Sequence, residues 1–185
     1  GVVVVAEVAR PALRRSAAAL EQGGSGRARL AAMSEEVPET VLDSLRSALD
    51  VLGAPVVVRS SSPMEGDTAW SGTFSSFQDI ERDDLRTAVR GVWASAFTVH
   101  AVERYEAIGF DADGVDLAVL VQPQLVPECG GSARRYDDGR VAVHGIAGAP
   151  RDLLQGWETG VRAVVHPNDG PVEGDAVAAL GADPI

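Results

Sequence analysis

The order of the hydrophobic segments constrains the fold of this 185-residue chain more than any other feature. Short runs of β-branched residues predict buried strands, and longer segments with apolar residues every three or four positions predict helices. Strands and helices are mixed through the first two thirds, and hairpin signals crowd the last third. This order predicts an α+β (α/β) fold, and we expect two lobes of mixed β-sheet and helices, residues 1–110 and residues 111–185.

Individual segments give more specific expectations. The spacing of apolar residues predicts one long helix over Asp83–Ile108, and Gly109 ends it. The glycine-rich stretch Gln22–Gly26 predicts a helix end and a flexible loop. Asp137-Asp138-Gly139 predicts the turn of a hairpin. Further strands are predicted at Val2–Val5, Pro55–Val58, Trp70–Ile80, Val115–Val126 and Gly160–Val165, followed by a turn at His166–Gly170 and a helix from Asp175.

The composition excludes several classes of protein. Hydrophobic residues make up 45% of the chain and charged residues 23%, as in globular proteins. The net charge of −11 at pH 7 leaves no basic footprint for nucleic acid, and an anionic membrane surface repels such a chain. No apolar run approaches the roughly 20 residues that span a bilayer. We therefore expect a cytoplasmic protein with neither nucleic acid nor membrane as a partner.

All 16 basic residues are arginines, and the sequence contains no lysine. Codon bias in a GC-rich genome explains this most simply. The chemical consequence holds whatever the cause, because no lysine can form a Schiff base or hold a phosphate as a P-loop lysine does. Contacts to phosphate must come from arginine, hydroxyl groups or backbone N–H groups.

A predicted buried strand runs directly into the polar group Arg59-Ser60-Ser61-Ser62. This arrangement brings a forked guanidinium and several hydroxyls to one strand end, where they suit the phosphates of a nucleotide. Taken alone, such a pattern more often marks a surface arginine beside a serine-rich turn. The segments that follow in the sequence favour the phosphate-binding interpretation instead.

Their order resembles the N-terminal ATP-binding domain of the phosphoenolpyruvate synthase and pyruvate phosphate dikinase family. In that family a strand ending in V-R-S-S precedes an acidic pair, S-F-A-G-Q, a helix with A-V-x-x-x-W-A-S-L-F-T, and a strand ending in V-Q. The corresponding stretches here are V-V-V-R-S-S-S from Val56, W-S-G-T-F from Trp70, A-V-R-G-V-W-A-S-A-F-T from Ala88 and L-A-V-L-V-Q from Leu117. The match covers residues 55–126 well and is poor beyond Val126.

The resemblance implies an ATP-grasp-like fold that holds ATP between two lobes and passes the β-phosphoryl group to a histidine on a separate swivelling domain. Arg59 matches the arginine expected to hold the ATP phosphates. Gln122 matches the glutamine that closes the strand of the second lobe. The nucleotide-binding residues implied in this way are Arg59, Ser60, Ser61, Ser71, Gly72 and Gln122, and Glu65 and Asp67 approximate the acidic pair.

The sequence also departs from the family pattern. The family's G-G-K motif would lie before Gly1, and this sequence has no lysine. The family's G-L-G-E appears at best as Gly148-Ala149-Pro150-Arg151, with Gln155 following. Arg151 thus stands where a carboxylate is expected, and His144 falls near another expected acid. The family implies Mg²⁺, which needs carboxylate oxygens beside the phosphates. We therefore predict no metal ligands, and expect His144, Arg151 and Gln155 only in the vicinity of phosphate.

Two functions remain as expectations. The first is the ATP-binding domain of a longer phosphotransferase, whose partners are a phosphohistidine domain and a domain for phosphoenolpyruvate, pyruvate or another small acceptor. The last residues fall inside a predicted helix, so we expect a domain cut from a longer protein and inactive alone. The second is a non-catalytic relative that has lost its metal ligands and binds a ligand or a partner.

Two neighbouring arginines on the predicted hairpin, Arg134 and Arg135, are a further candidate for anion binding. Charged residues on a hairpin usually face solvent, and we expect both side chains to do so.

Overall fold

The computed structural model describes residues 1–165, and the chain divides into two compact units, residues 1–124 and the residues from 125 onward. The first unit contains β1 (Val2–Val4), α1 (Ala6–Ser34), α2 (Glu39–Leu52), β2 (Val56–Ser61), β3 (Ser76–Ile80), α3 (Leu85–Ser95), α4 (Val99–Ile108) and β4 (Ala118–Pro123). The second contains β5 (Cys129–Arg135), β6 (Val141–Ala147), α5 (Arg151–Leu154) and β7 (Val161–Val165). The predicted turn at 166–170 and the predicted last helix lie outside the described residues.

Each unit is built on one antiparallel sheet. The first sheet has the strand order β1-β4-β2-β3, and the second has the order β5-β6-β7. Four helices accompany the first sheet and one turn of helix accompanies the second. Helices beside two antiparallel sheets confirm the predicted α+β fold.

The core of the first unit lies on one face of its sheet. Successive side chains of a strand point to opposite faces, and in β2 the side chains of Val56, Val58 and Ser60 are buried while Arg59 and Ser61 are exposed. Helices α1, α2 and α3 pack against the buried face. The opposite face, which carries Arg59, is the outer face of the first sheet.

The first unit extends beyond residue 110, where the sequence predicts the boundary between lobes. Residues 118–123 form β4, which pairs with β1 through Val119–Val121 and with β2 along its whole length. This strand therefore completes the first sheet, and Gln122 belongs to the first unit. The predicted boundary lies inside that unit because a strand distant in sequence supplies the hydrogen bonds that β1 and β2 need.

The prediction of one long helix over residues 83–108 is wrong in its continuity. Two helices, α3 and α4, are separated at Ala96–Thr98. The Thr98 side chain accepts a hydrogen bond from the Ala101 backbone N–H at 3.2 Å, which caps the start of α4. The predicted buried face is correct, since Leu85, Val89, Trp93, Phe97 and Ala101 are all at most 1% exposed.

The helix end predicted at the glycine-rich stretch after residue 22 is confirmed, but the stretch is a kink between two helical segments rather than a loop. Helix α1 bends at Gly23 and Gly24, where Gly24 adopts a φ of 72° that favours glycine. The helix resumes because Ala28 and Ala32 beyond the kink are fully buried in the core. Within residues 1–165, no helix combines the length and the apolar character needed to cross a membrane.

Candidate functional site

The outer face of the first sheet gathers several of the predicted nucleotide-binding residues. Strand β2 does not end at Val58 as predicted but continues to Ser61, so Arg59 lies within the strand. Alternation along β2 directs the side chains of Arg59 and Ser61 to the outer face and that of Ser60 to the core. The guanidinium of Arg59 is therefore available to a ligand on this face.

The two strands beside β2 add polar groups to the same face. Arg59 lies opposite Ser76 of β3 and opposite Leu120 of β4. Gln122 of β4 lies opposite Val57 of β2. It is two residues beyond Leu120 along β4, so its side chain points to the same outer face. Ser76 is exposed, and the sequence did not single it out. Only the strand register connects it with Arg59, and a pair 17 positions apart leaves no local signal.

The buried residue Ser60 has a different role from its two neighbours. Its hydroxyl donates a hydrogen bond to Oε1 of Glu65 at 3.0 Å, and the Ser62 backbone N–H donates to Oε2 of Glu65 at 3.0 Å. The Ser62 hydroxyl in turn accepts from the Met64 backbone N–H, so the short 3-10 turn Pro63–Gly66 has a capping box. Ser60 and Glu65 thus fix the chain that leaves the end of β2.

A tight turn carries Ser71 and Gly72. The Thr73 backbone N–H donates to the Trp70 carbonyl at 3.1 Å, and both residues between them are exposed. Gly72 has a φ of 72°, which at the third position of such a turn favours glycine. A phosphate or another ligand group can approach this backbone closely, because no Cβ covers it and nothing lies within 4 Å of where one would stand.

Aromatic packing anchors that turn to the core. Trp70 stacks on Tyr105 with ring centroids 5.6 Å apart, and on Phe74 at 6.4 Å. Tyr105 is 2% exposed, and its hydroxyl has no hydrogen-bond partner among the described residues. Burial of this phenol raises the pKa of Tyr105 above its ordinary value, because the charged phenolate loses its hydration.

The described residues do not fit the Mg²⁺ that the resemblance implies. The Glu65 carboxylate is engaged by Ser60 and Ser62, and Oδ1 of Asp67 accepts a hydrogen bond from the Ala69 backbone N–H at 2.9 Å. No group of three histidine, cysteine or carboxylate side chains within residues 1–165 is arranged to hold a metal ion. Glu65 and Asp67 therefore act here as local hydrogen-bond acceptors.

The remaining predicted residues lie in the second unit. His144 is half-buried in β6, opposite Ser132 of β5 and Arg162 of β7. Arg151 begins α5 and Gln155 follows its last residue, and both side chains are exposed. His144 is thus a direct neighbour of Arg162 across the strands, and no local pattern in the sequence connects these two residues.

Comparison with known proteins agrees with the motif order. The family model described as pyruvate phosphate dikinase, AMP/ATP-binding domain, matches residues 12–173. A curated relative, the probable phosphoenolpyruvate synthase of Methanothermobacter thermautotrophicus, is 30% identical over 142 residues, which cover 71% of this chain and 20% of that protein. The chain therefore spans about a fifth of the length of this relative.

Proposed function

Because the chain belongs to the pyruvate phosphate dikinase family of AMP/ATP-binding domains, we propose that it binds ATP on the first unit, through the outer face that carries Arg59. We further propose that, in a longer phosphotransferase, this ATP supplies the phosphoryl group for a histidine on another domain. The observation that carries the proposal is the exposed guanidinium of Arg59 beside Ser61, Ser76 and Gln122 on one sheet face.

The chemistry of these groups suits a polyphosphate. A guanidinium donates two parallel N–H bonds to phosphate oxygens, and the hydroxyls of Ser61 and Ser76 add neutral donors at its side. The exposed turn at Ser71 and Gly72 follows the Ser61 end of β2 and offers backbone that a phosphate can reach. Gln122 brings an amide, which can donate to and accept from the base or the ribose. An ATP-grasp arrangement is part of this proposal.

A second candidate, a relative that binds without turnover, is favoured by specific substitutions. Arg151 stands where the family pattern has a carboxylate, and His144 falls near another expected acid. Glu65 is held by Ser60 and Ser62. Phosphoryl transfer depends mainly on electrostatic stabilisation by metal ions and cationic side chains. A chain without lysine and without a fitting metal site among its described residues is expected to bind ATP but to transfer its phosphoryl group poorly.

Thermal unfolding of the 185-residue chain tests ATP binding. At a ligand concentration 100 times Kd, binding stabilises the folded state by about 2.7 kcal/mol, and the melting temperature rises accordingly. Adenosine is the control, because it lacks the phosphates that Arg59 is proposed to hold. A rise with ATP and none with equimolar adenosine supports the proposal, whereas equal responses to both contradict the role of the phosphates.

Product analysis separates the two candidates. The purified chain is incubated with ATP and Mg²⁺, and the release of AMP and ADP is followed. Binding without release identifies a binding module or a domain that needs its partners. Steady release that disappears in Arg59→Ala identifies a domain with a working catalytic site of its own.

A further inference from the structure

One face of the second sheet collects basic and polar side chains. Antiparallel partners point to the same face, so the register gives two rows across the sheet. In one row Ser132, His144 and Arg162 are neighbours, and in the next row Arg134, Ala142 and Val164 are neighbours. We call the face formed by these six residues and Tyr136 the basic face.

The basic face is concave, and the formal charges of its described residues are all positive. The basic-face residues line a cavity of about 680 Å³, and its charged lining residues within the described chain are Arg134 and Arg162. Neither arginine forms an ion pair with another residue in 1–165, unlike Arg140, which is bound to Asp138 at 2.7 Å. Residues 1–124 contain 18 carboxylates and 11 arginines, whereas residues 125–165 contain five of each. The two unpaired arginines therefore stand out against an acidic chain.

An aromatic ring lies against one of the two arginines. The guanidinium of Arg134 lies 5.6 Å from the ring centroid of Tyr136, which is a cation–π contact. Ala142 stands between Arg134 and Val164, and its small side chain leaves the middle of the face open. From the strand and residue spacings, the Cα atoms of Arg134 and Arg162 are separated by about 10 Å across the sheet and about 7 Å along it. Two extended arginine side chains can meet over that distance.

His144 adds an unused polar atom at the centre of this face. Its Nε2 is buried and has no hydrogen-bond partner among residues 1–165. The hydroxyl of Ser132 lies beside it in the same row. A buried nitrogen and two guanidiniums that have no partner among residues 1–165, together with a hydroxyl, are satisfied by a ligand that brings oxygen atoms.

We propose that the basic face is a binding site for a phosphate-bearing anion and that it needs no divalent cation. Arg134 and Arg162 hold the anionic oxygens from two sides, and His144 and Ser132 complete the hydrogen bonds between them. The lining within residues 1–165 has two guanidiniums and no carboxylate, so it neutralises the anion without a metal ion, which the described residues do not fit. The proposal does not depend on nucleotide binding at Arg59, because every residue it uses lies in the second unit.

Calorimetric titration of the 185-residue chain with inorganic pyrophosphate, in the presence of a chelator and at fixed ionic strength, tests this site. We expect binding without metal, and we expect Arg134→Gln and Arg162→Gln each to weaken it by roughly 10-fold or more, as the loss of a charge-assisted hydrogen bond predicts. The matched control is Arg135→Gln, because Arg135 has the same charge and is the next residue of β5 but points to the opposite face. The affinity of this control variant for pyrophosphate should stay within about 2-fold of that of the unmodified chain.

Four results would overturn the proposal: no binding of pyrophosphate, binding that requires Mg²⁺, unchanged affinity in Arg134→Gln and Arg162→Gln, or an equal loss in the Arg135 variant. A competition arm distinguishes the source of the phosphate. If metal-free ATP displaces pyrophosphate and is itself weakened by Arg162→Gln, the occupant is a nucleotide phosphate chain. If ATP does not compete while pyrophosphate binding still depends on Arg162, the occupant is a different phosphorylated compound. Both of these outcomes support the anion site.

Discussion

The hydroxyl of Ser60 donates a hydrogen bond to the carboxylate of Glu65 at 3.0 Å, and this contact ties strand β2 to the chain that follows it. The same carboxylate accepts the Ser62 backbone N–H, so the two oxygens of Glu65 each have a protein donor. Arg59 and Ser61, on either side of Ser60, point the other way and remain exposed. One strand therefore places Ser60, which holds Glu65, on the opposite face from the two residues that we propose bind phosphate.

Replacing Ser60 tests whether its hydrogen bond to Glu65 stabilises the fold. Ser60→Ala leaves one oxygen of a partly buried carboxylate without its donor, and we expect the free energy of unfolding to fall by about 1–2 kcal/mol. Chemical denaturation followed by circular dichroism measures it. Ser61→Ala, at the exposed neighbouring position, is expected to change it by less than about 0.5 kcal/mol. Equal effects of the two substitutions would show that the hydrogen bond to Glu65 does not stabilise the fold.

The cap of α4 is tested at Thr98, which divides the predicted single helix into two. Thr98→Ala removes the acceptor for the Ala101 backbone N–H and is expected to cost about 1 kcal/mol of stability. Thr98→Ser keeps a hydroxyl at the same place and should restore most of that loss. A serine variant as unstable as the alanine variant would indicate that the threonine methyl, rather than the cap, matters here.

The fully buried ring of Trp93 tests the packing of α3 against the sheet. Trp93 is 0% exposed, so Trp93→Ala leaves a large cavity and is expected to cost about 3–5 kcal/mol. Trp157 is 77% exposed and provides a control in which the same substitution changes stability by less than about 0.5 kcal/mol. The comparison uses far-UV circular dichroism, since both substitutions change the fluorescence. A small loss at Trp93 would contradict the buried face of α3.

Burial of Tyr105 predicts a loss of stability in alkaline solution. The folded chain raises the pKa of this phenol above its unfolded value of 10.0, because burial penalises the charged form. The stabilisation that comes from keeping the phenol neutral is complete below pH 10 and decreases as the pH rises further. Unfolding experiments at increasing pH should show a steeper loss for the unmodified chain than for Tyr105→Phe.

Two further comparisons make the Tyr105 test specific. At pH 7 Tyr105→Phe should be neutral or slightly stabilising, because the buried hydroxyl has no partner among the described residues. Tyr136→Phe changes a residue that is 40% exposed and should keep the alkaline slope of the unmodified chain. An unchanged slope in Tyr105→Phe would contradict the burial of this phenol.

Local patterns in the sequence predict much of the fold correctly. The apolar spacing around Trp93 identifies the buried face of α3, and Asp137-Asp138-Gly139 identifies the turn between β5 and β6. These features depend on neighbours within a few positions. The break before α4 is less visible, because Thr98 competes as a cap inside an apolar pattern that continues through it.

The functional surfaces depend on pairings between distant residues, and the sequence predicts them less well. Arg59 meets Ser76 only through the register of β2 and β3, and that register includes an irregularity between Val56 and Val58. Asp79, opposite this irregularity, has a φ of 58° and exchanges hydrogen bonds with the side chain of Gln124 at 2.7 and 2.6 Å. Such a contact joins residues 45 positions apart and leaves no local pattern.

Arg134 and Arg135 show the converse case, in which residues adjacent in sequence are separated in the structure. Their adjacency suggests one basic patch, but strand alternation sends them to opposite faces of the second sheet. The other arginine of the basic face, Arg162, belongs to another strand. Both arginines of the pair are exposed as expected, while the cavity that Arg134 lines becomes evident only from the three-stranded register.

Calorimetric titration of ATP into the unmodified chain and into Arg59→Lys tests whether the Arg59 guanidinium holds the phosphates of ATP. Arg59→Lys keeps the positive charge, but an ammonium cannot reproduce the bidentate contact of a guanidinium. The dissociation constant for ATP should therefore rise roughly 10-fold or more. Arg14→Lys, at an exposed position on α1, controls for the substitution itself and should leave the constant unchanged. Equal ATP affinity in the unmodified chain and in Arg59→Lys would contradict the account.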